Sequence, residues 1–266
     1  MKLLAALAIA SFISMSGSAT QVSQNTEQGF GPQAPRDIES LHGTNARVFG
    51  MAPDYSAMNL CDIHFHKHAE HKGGEFTTSA GNGDDHGSMA GFRYSGMLSN
   101  NELEATEEAI CPSGHGAVYP GDTIEVHYVY STANAAPGHS LMTCLHESTA
   151  NPQLRVEAQV FVVVNDNNAL DFVELNRVGK QNGYFQALGL LNNTGEPVQY
   201  IGSTTGPAYN DEPSPFQVTW SVRPKVAKIN INTVGQWCKS NEFEEDHAHG
   251  VRNLVVNPDF LSEIEP

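Results

Sequence analysis

The 266-residue chain is poor in positive charge: 14 Lys and Arg stand against 30 Asp and Glu, a formal net charge of -16 with the histidines neutral. So acidic a surface repels the phosphates of nucleic acids and anionic membrane faces, and neither is an expected partner. Long apolar runs are also missing beyond the first nineteen residues. Those nineteen, MKLLAALAIASFISMSGSA, carry one charge at Lys2, an apolar run through Ile13, and then small residues with Gly17 and Ala19 placed for cleavage. They read as a signal peptide, because the run is shorter than the ~20 residues a spanning helix needs. The expected organisation is a signal peptide over 1–19 and one domain over 20–266, periplasmic or secreted, with no membrane attachment after cleavage. Cysteine is scarce too, at Cys61, Cys111, Cys144 and Cys238, with no Cys-x-x-Cys spacing to suggest a structural zinc site. An even count in an exported chain predicts two disulfides, and three connectivities stay open.

What the chain does have is a concentration of histidine. Residues 61–71 read CDIHFHKHAEH and put four of twelve histidines, His64, His66, His68 and His71, into eight positions. Side chains alternate along a strand, so His64 and His66 share one face while Ile63 and Phe65 take the other. Two imidazoles on one face make two corners of a tetrahedral zinc site, and a third ligand must come from elsewhere. The best candidate is His127, in the regular segment TIEVHYVYS, where Glu125 lies two residues away on the same face. A metal-bound imidazole usually donates its other N–H to such a group. His68 continues the face of His64 and His66 and is a fourth ligand, a shuttle or a rim residue. His42, His86 and His115 read as solvent-exposed loop residues.

Further strands are expected in RVEAQVFVVVN, FQALGLL, FQVTWSV and AKININ, separated by turns such as Asn165–Asn168 and Asn192–Gly195. Residues 20–58 suggest an extended arm and 72–100 a surface insertion. The run NELEATEEAI at 101–110 is the best helix candidate, and the acidic tail 241–266 with His247 and His249 reads as a solvated segment.

Four stretches, in order, resemble the alpha-type carbonic anhydrases, and more closely the delta class that shares their zinc logic. Gln33-Ala34-Pro35-Arg36-Asp37-Ile38 is similar to the Gln-Ser-Pro-x-Asp-Ile arm. His64-Phe65-His66 with Glu70-His71 resembles the Phe-His-Phe-His strand and its Glu-His. Glu125-Val126-His127-Tyr128-Val129 resembles the Glu-x-His-x-Val strand. Gly202-Ser203-Thr204-Thr205-Gly206-Pro207, then Val218-Thr219-Trp220, is similar to the Gly-Ser-x-Thr-Thr-Pro loop and the strand after it. The chain departs from the alpha pattern in a short stretch before His64, a long one from His66 to His127, and extra residues Ala208–Pro215. The region that carries the alpha enzymes' shuttle histidine has no counterpart, so none is transferred.

The resemblance implies a mainly β fold, a large twisted mixed β-sheet of alpha-carbonic-anhydrase type with few short helices. It also implies zinc-dependent reversible hydration of carbon dioxide to bicarbonate and a proton, with one Zn2+ per chain on His64, His66 and His127. Thr204, locked by Glu70, would orient the nucleophile; Thr205 would help hold bicarbonate; Val129 and Trp220 would line the carbon dioxide pocket; His71 would be a hydrogen-bonded core residue. The chemistry agrees, since three neutral imidazoles leave zinc an open position and lower the pKa of its water to around 7. A copper/zinc superoxide dismutase would need further histidines at ligand spacing, which are missing. The stronger rival is a non-catalytic periplasmic zinc- or copper-binding protein using the His64–His71 cluster, which has no need of Thr204, Thr205 and Glu70.

Overall fold

The computed structural model describes residues 34–47, 50–83, 89–114, 116–204, 217–251 and 253–266. The signal-peptide segment, Gln33, His86, His115, Thr205 and the 208–215 insertion therefore lie outside the described residues. Seven strands make one mixed sheet: β1 (Asn59–Lys67), β2 (Thr123–Ser131), β3 (Leu154–Val164), β4 (Val198–Ser203), β5 (Gln217–Val222), β6 (Ala227–Asn230) and β7 (His249–Gly250). Their order is β4-β5-β3-β2-β1-β7, with β6 also paired to β3. β1, β2 and β3 run antiparallel in sequence, as do β4 and β5. β3 pairs parallel with β5 and β6, and β1 pairs parallel with β7.

β2 and β3 are buried at every position. Their β-branched and aromatic residues suit central strands that bury both faces. One face packs Phe65, Val126, Tyr128 and Phe161 against two helices, α1 (Phe172–Leu175) and α2 (Ile231–Lys239), through Phe172 and Trp237. The other packs Val129, Val156, Val218 and Trp220 together with Ile38 and Phe76 from the long connections. Cys61 interrupts the β1–β2 ladder: Leu60 pairs with Tyr130 and Asp62 with Val129, so Cys61 is the extra residue of a β-bulge. Cys61 is bonded to Cys144 and Cys111 to Cys238, which resolves the three connectivities.

Several sequence expectations change. Residues 101–110 form no helix: a turn closes with Leu103 N–H on Ser99 O, and Ile110 is drawn into a short ladder with Val118. The segment carries Glu102, Glu104, Glu107 and Glu108 with no apolar stripe to dock, so propensity alone does not hold it. Only the first three residues of FQALGLL are strand, within Tyr184–Ala187, which pairs with Val178–Gln181 outside the main sheet. AKININ stops being strand at Asn230, whose side chain accepts from Asn232 N–H at 2.9 Å and caps α2. Ile231, Val234, Trp237 and Cys238 then form the buried stripe of that helix. The tail is not simply solvated: Phe243, Val251, Val255 and Ile264 are buried, and His249 joins β1.

Candidate active site

The β1–β2 ladder brings the site together. His64 lies directly opposite His127, and His66 is one pleat further along the same face. The His64 ring centroid is 5.1 Å from His127 and 5.3 Å from His66, and His66 is 4.8 Å from His127. One nitrogen from each ring lies within 4.8 Å of the others. His64 Nε2 and His127 Nδ1 face each other at 3.2 Å. Two nitrogens about 2.0–2.1 Å from a tetrahedral zinc stand about 3.3 Å apart, so this pair fits such an ion.

The outward nitrogens are held by carboxylates. Asp62 Oδ2 is 2.6 Å from His64 Nδ1, and Glu125 Oε1 is 2.9 Å from His127 Nε2. An imidazole that donates one N–H to a carboxylate presents the other nitrogen's lone pair, here toward the shared centre. Glu125 Oε1 also takes the Nδ1–H of His71 at 2.7 Å, and His71 Nε2 meets the Tyr200 hydroxyl at 2.6 Å. His71 is thus a fully buried, hydrogen-bonded core residue. His71, Glu125 and His127 also lie close enough for a metal, but their facing atoms are already committed to one another. Glu70 is more distant, with Oε1 3.7 Å from His66 Nδ1 and Oε2 3.7 Å from His127 Nε2.

The electrostatics divide the histidines. Burial drives His66 well below the usual histidine range, and neighbouring His127, His64 and His249 push it further. A neutral ring with a free lone pair is the form a cation requires. Burial acts the same way on His64, but the hydrogen bond and charge of Asp62, with Glu245 and Glu70, outweigh it and raise its pKa. Burial alone would raise Glu125, yet His71 and His127 hold it well below the carboxylate range. Glu70 is raised by burial, against the pull of His127.

The histidines floor a cavity of about 100 Å³ walled by Val129, Val156, Val218, Leu154, Trp220 and Leu141, with Thr204 and Glu70 also on its lining. Trp220 stands edge-on to His127 at 5.0 Å. Gly202 makes room for it, because a Cβ there would lie 2.5 Å from Trp220 Cδ1. A larger cavity of about 380 Å³ near the sheet edge shares only Leu154 and Val218 with this one and carries no histidine.

His68 leaves the site. Its backbone turns to φ 74°, and its Nδ1 meets Ala90 O at 2.9 Å, so the strand alternation that put it on the His64 face ends at Lys67. Two neighbours of the site were missed in the sequence. Asp62 satisfies the same two-residue, same-face rule that singled out Glu125. His249 offered only a tail histidine as a signal, yet it sits opposite His66 with its ring 5.7 Å from both His64 and His66, and its Nε2 is 2.8 Å from Glu245 Oε2.

Three clustered imidazoles on adjacent strands of a mixed sheet, beneath a small apolar cavity, define a β-sheet protein with a candidate tri-histidine metal centre. The family model for delta carbonic anhydrase matches residues 55–233, and the chain belongs to that family. No curated protein matches it. Similar solved structures include the alpha-carbonic anhydrase of Thermovibrio ammonificans in complex with the inhibitor sulfanilamide, 17% identical over 78% of each chain with a TM-score of 0.27. The Photobacterium profundum alpha-carbonic anhydrase is 16% identical over 85% of each chain, with a TM-score of 0.28. Carbonic anhydrase Cah3 from Chlamydomonas reinhardtii, in complex with acetazolamide, is 16% identical over 94% of this chain and 96% of its own, with a TM-score of 0.29. The protein is a carbonic anhydrase: it hydrates carbon dioxide to bicarbonate.

Proposed function

We propose that one zinc ion per chain is held by His64, His66 and His127, and that carbon dioxide is hydrated in the cavity above them. The observation that carries this reading is the set of three ring nitrogens within 4.8 Å of one another, opening into a small apolar cavity. Zinc bound to three neutral imidazoles supplies Lewis-acid chemistry and lowers the pKa of a water to about 7.

The rest falls to the chain's own side chains. Asp62 and Glu125 fix the tautomers of His64 and His127 by accepting from the outward N–H, so that Nε2 and Nδ1 respectively are the ligand atoms. Val129 and Trp220 present carbon dioxide with an apolar wall and keep bulk water from it. Thr204 orients the nucleophile: its hydroxyl donates to Glu70 and keeps its lone pairs to accept from the attacking oxygen. Thr205 helps hold the bicarbonate product. The lining of the cavity by Thr204 and Glu70 together supports this pairing. Export of the domain after cleavage near Thr20, to the periplasm or beyond, is supported by the two disulfides.

Thr204→Ala separates this reading from a metal-storage protein. The variant should keep its zinc, measured by elemental analysis, and lose roughly 10²-fold or more in stopped-flow hydration rate, the scale for removing a positioned hydrogen-bonding group. Wild-type rates in zinc-replete Thr204→Ala would rule out the orienting role. A zinc-replete wild type with no hydration, holding several weakly bound ions, would make the protein a store.

A further inference from the structure

The bulge at Cys61 also ties a surface turn to the strand that carries His64 and His66. The extra residue brings Cys61 into the same cluster as Val129 and Leu154, on the histidine side of the sheet, three residues before His64. There it is bonded to Cys144, the last residue of a single 3-10 turn, Leu141–Cys144. Thr143 of the turn and Gly138 just before it are pinned to the same point of β1: Thr143 Oγ1 donates to Cys61 O at 2.8 Å, and Gly138 N–H donates to Cys61 O at 3.2 Å. Ser131 Oγ on β2 donates to Cys144 O at 2.7 Å and holds the same end of the turn against β2. Cys144 is fully buried by these contacts, while the first residue of the turn, Leu141, remains 36% exposed and reaches the lining of the histidine cavity.

Among the described lining residues, Leu141 differs from the other apolar walls. Val129, Val156, Val218 and Trp220 belong to the sheet and are at least 96% buried, so they form fixed walls. Leu141 comes from a connection between β2 and β3 with no place in the sheet. Met142 beside it is 69% exposed, so the turn that carries Leu141 lies at the protein surface. We infer that Leu141 sets the size of molecule that reaches the metal centre, and that the Cys61–Cys144 bond with the Thr143 contact holds it in place. The inference rests on His64, His66 and His127 holding zinc. It extends that reading from what happens at the metal to what is admitted to it.

The test uses the zinc-loaded full domain and two probes that share a metal-binding head but differ in bulk, methanesulfonamide and naphthalenesulfonamide, titrated by calorimetry. Leu141→Ala should tighten naphthalenesulfonamide about tenfold, the low end of the range for one methylene's worth of fit in an apolar site. Methanesulfonamide should stay within about twofold, since its single methyl gives it little apolar contact to gain or lose at the wall. Leu141→Trp should reverse the sign for the large probe alone. The paired Cys61→Ser, Cys144→Ser variant should reproduce the Leu141→Ala pattern and add nothing to it when the two are combined, because both remove one wall. Thr143→Val, which keeps the disulfide and loses one pin, should move in the same direction by less.

Parallel shifts of both probes in Leu141→Ala, or no shift of either, would overturn the size-setting role. Additive effects of the cysteine pair and Leu141→Ala would show that the disulfide does not act through this wall. Because probe binding is read without turnover, a protein that discriminates the two sulfonamides but does not hydrate carbon dioxide would fail the catalytic reading and leave this one standing.

Discussion

The two faces of β1 and β2 are built by the same strands, one residue out of step, and they are opposite in chemistry. On one face Ile63, Phe65, Val126 and Tyr128 enter an apolar core in which Phe65 meets Phe172 and Trp237 edge-on, each at 5.9 Å between centroids. On the other, Asp62, Glu125 and His127 are buried and packed against the partly buried His64 and His66. Each large apolar side chain on the first face contributes about 1.5–3 kcal/mol by leaving water. The second face works against this, because buried ionisable groups cost free energy unless each is paired. The strands that carry the histidines are therefore held by core residues that never touch the cluster, while Asp62 and Glu125 orient two of the rings directly.

The comparison predicts two kinds of failure. The largest effect should come from the apolar face: Phe65→Ala is expected to cost about 3–5 kcal/mol, read as a drop in the urea midpoint, with metal lost because the strand is no longer held. His66→Ala lies one residue away and should do the reverse, abolishing stoichiometric zinc while leaving the far-ultraviolet spectrum and a cooperative transition. If both variants lose structure equally, the faces are not separable. Glu125→Gln should next lower zinc affinity by about 10–100-fold, the range for removing a ligand's carboxylate partner. Asp62→Asn should do so at the lower end of that range, since Asp62 serves one histidine where Glu125 serves two. Equilibrium competition with a chelator measures both.

The smallest effect should come from a residue on neither face. Glu102 is held at about 2 by Lys228 and Ser99. Its folded-state value lies below the unfolded one, so its contribution to stability is present above the ordinary carboxylate range and is lost as pH falls toward 2. Glu102→Gln should lower the melting temperature slightly at neutral pH and leave it unchanged near pH 2, because solvent screens so open a pair. A larger shift would mean that the 99–104 turn matters more to the sheet than its contacts suggest.

Much of this was legible because period two is a strong signal. His64 with His66, and Glu125 with His127, were readable as shared faces, and the register that sets His64 opposite His127 follows once those strands pair. The long buried strands β2 and β3 announced themselves by β-branched runs. What failed to show was tertiary. Nothing in NELEATEEAI reveals that Glu102 will be engaged by Lys228 and Ile110 drawn beside Val118. The helix after Asn230 hid behind a strand-like ININ, although Asn230 is a good cap. Cys61 and Cys144 are 83 residues apart, and no spacing rule pairs them. His249 reaches the site only because Phe243 and Val251 bury on either side of it. Asp62 was the avoidable omission, since the rule that found Glu125 applies to it unchanged.

The most direct test is to measure zinc content and stopped-flow carbon dioxide hydration on the same preparations of wild type, His127→Ala and His68→Ala. The account predicts stoichiometric zinc and hydration in the wild type, neither in His127→Ala, and both in His68→Ala, whose ring is turned toward Ala90. Removing zinc from the wild type with a chelator should abolish hydration, and adding it back should restore it. Full zinc in His127→Ala together with its loss in His68→Ala would contradict the ligand set on which everything else depends.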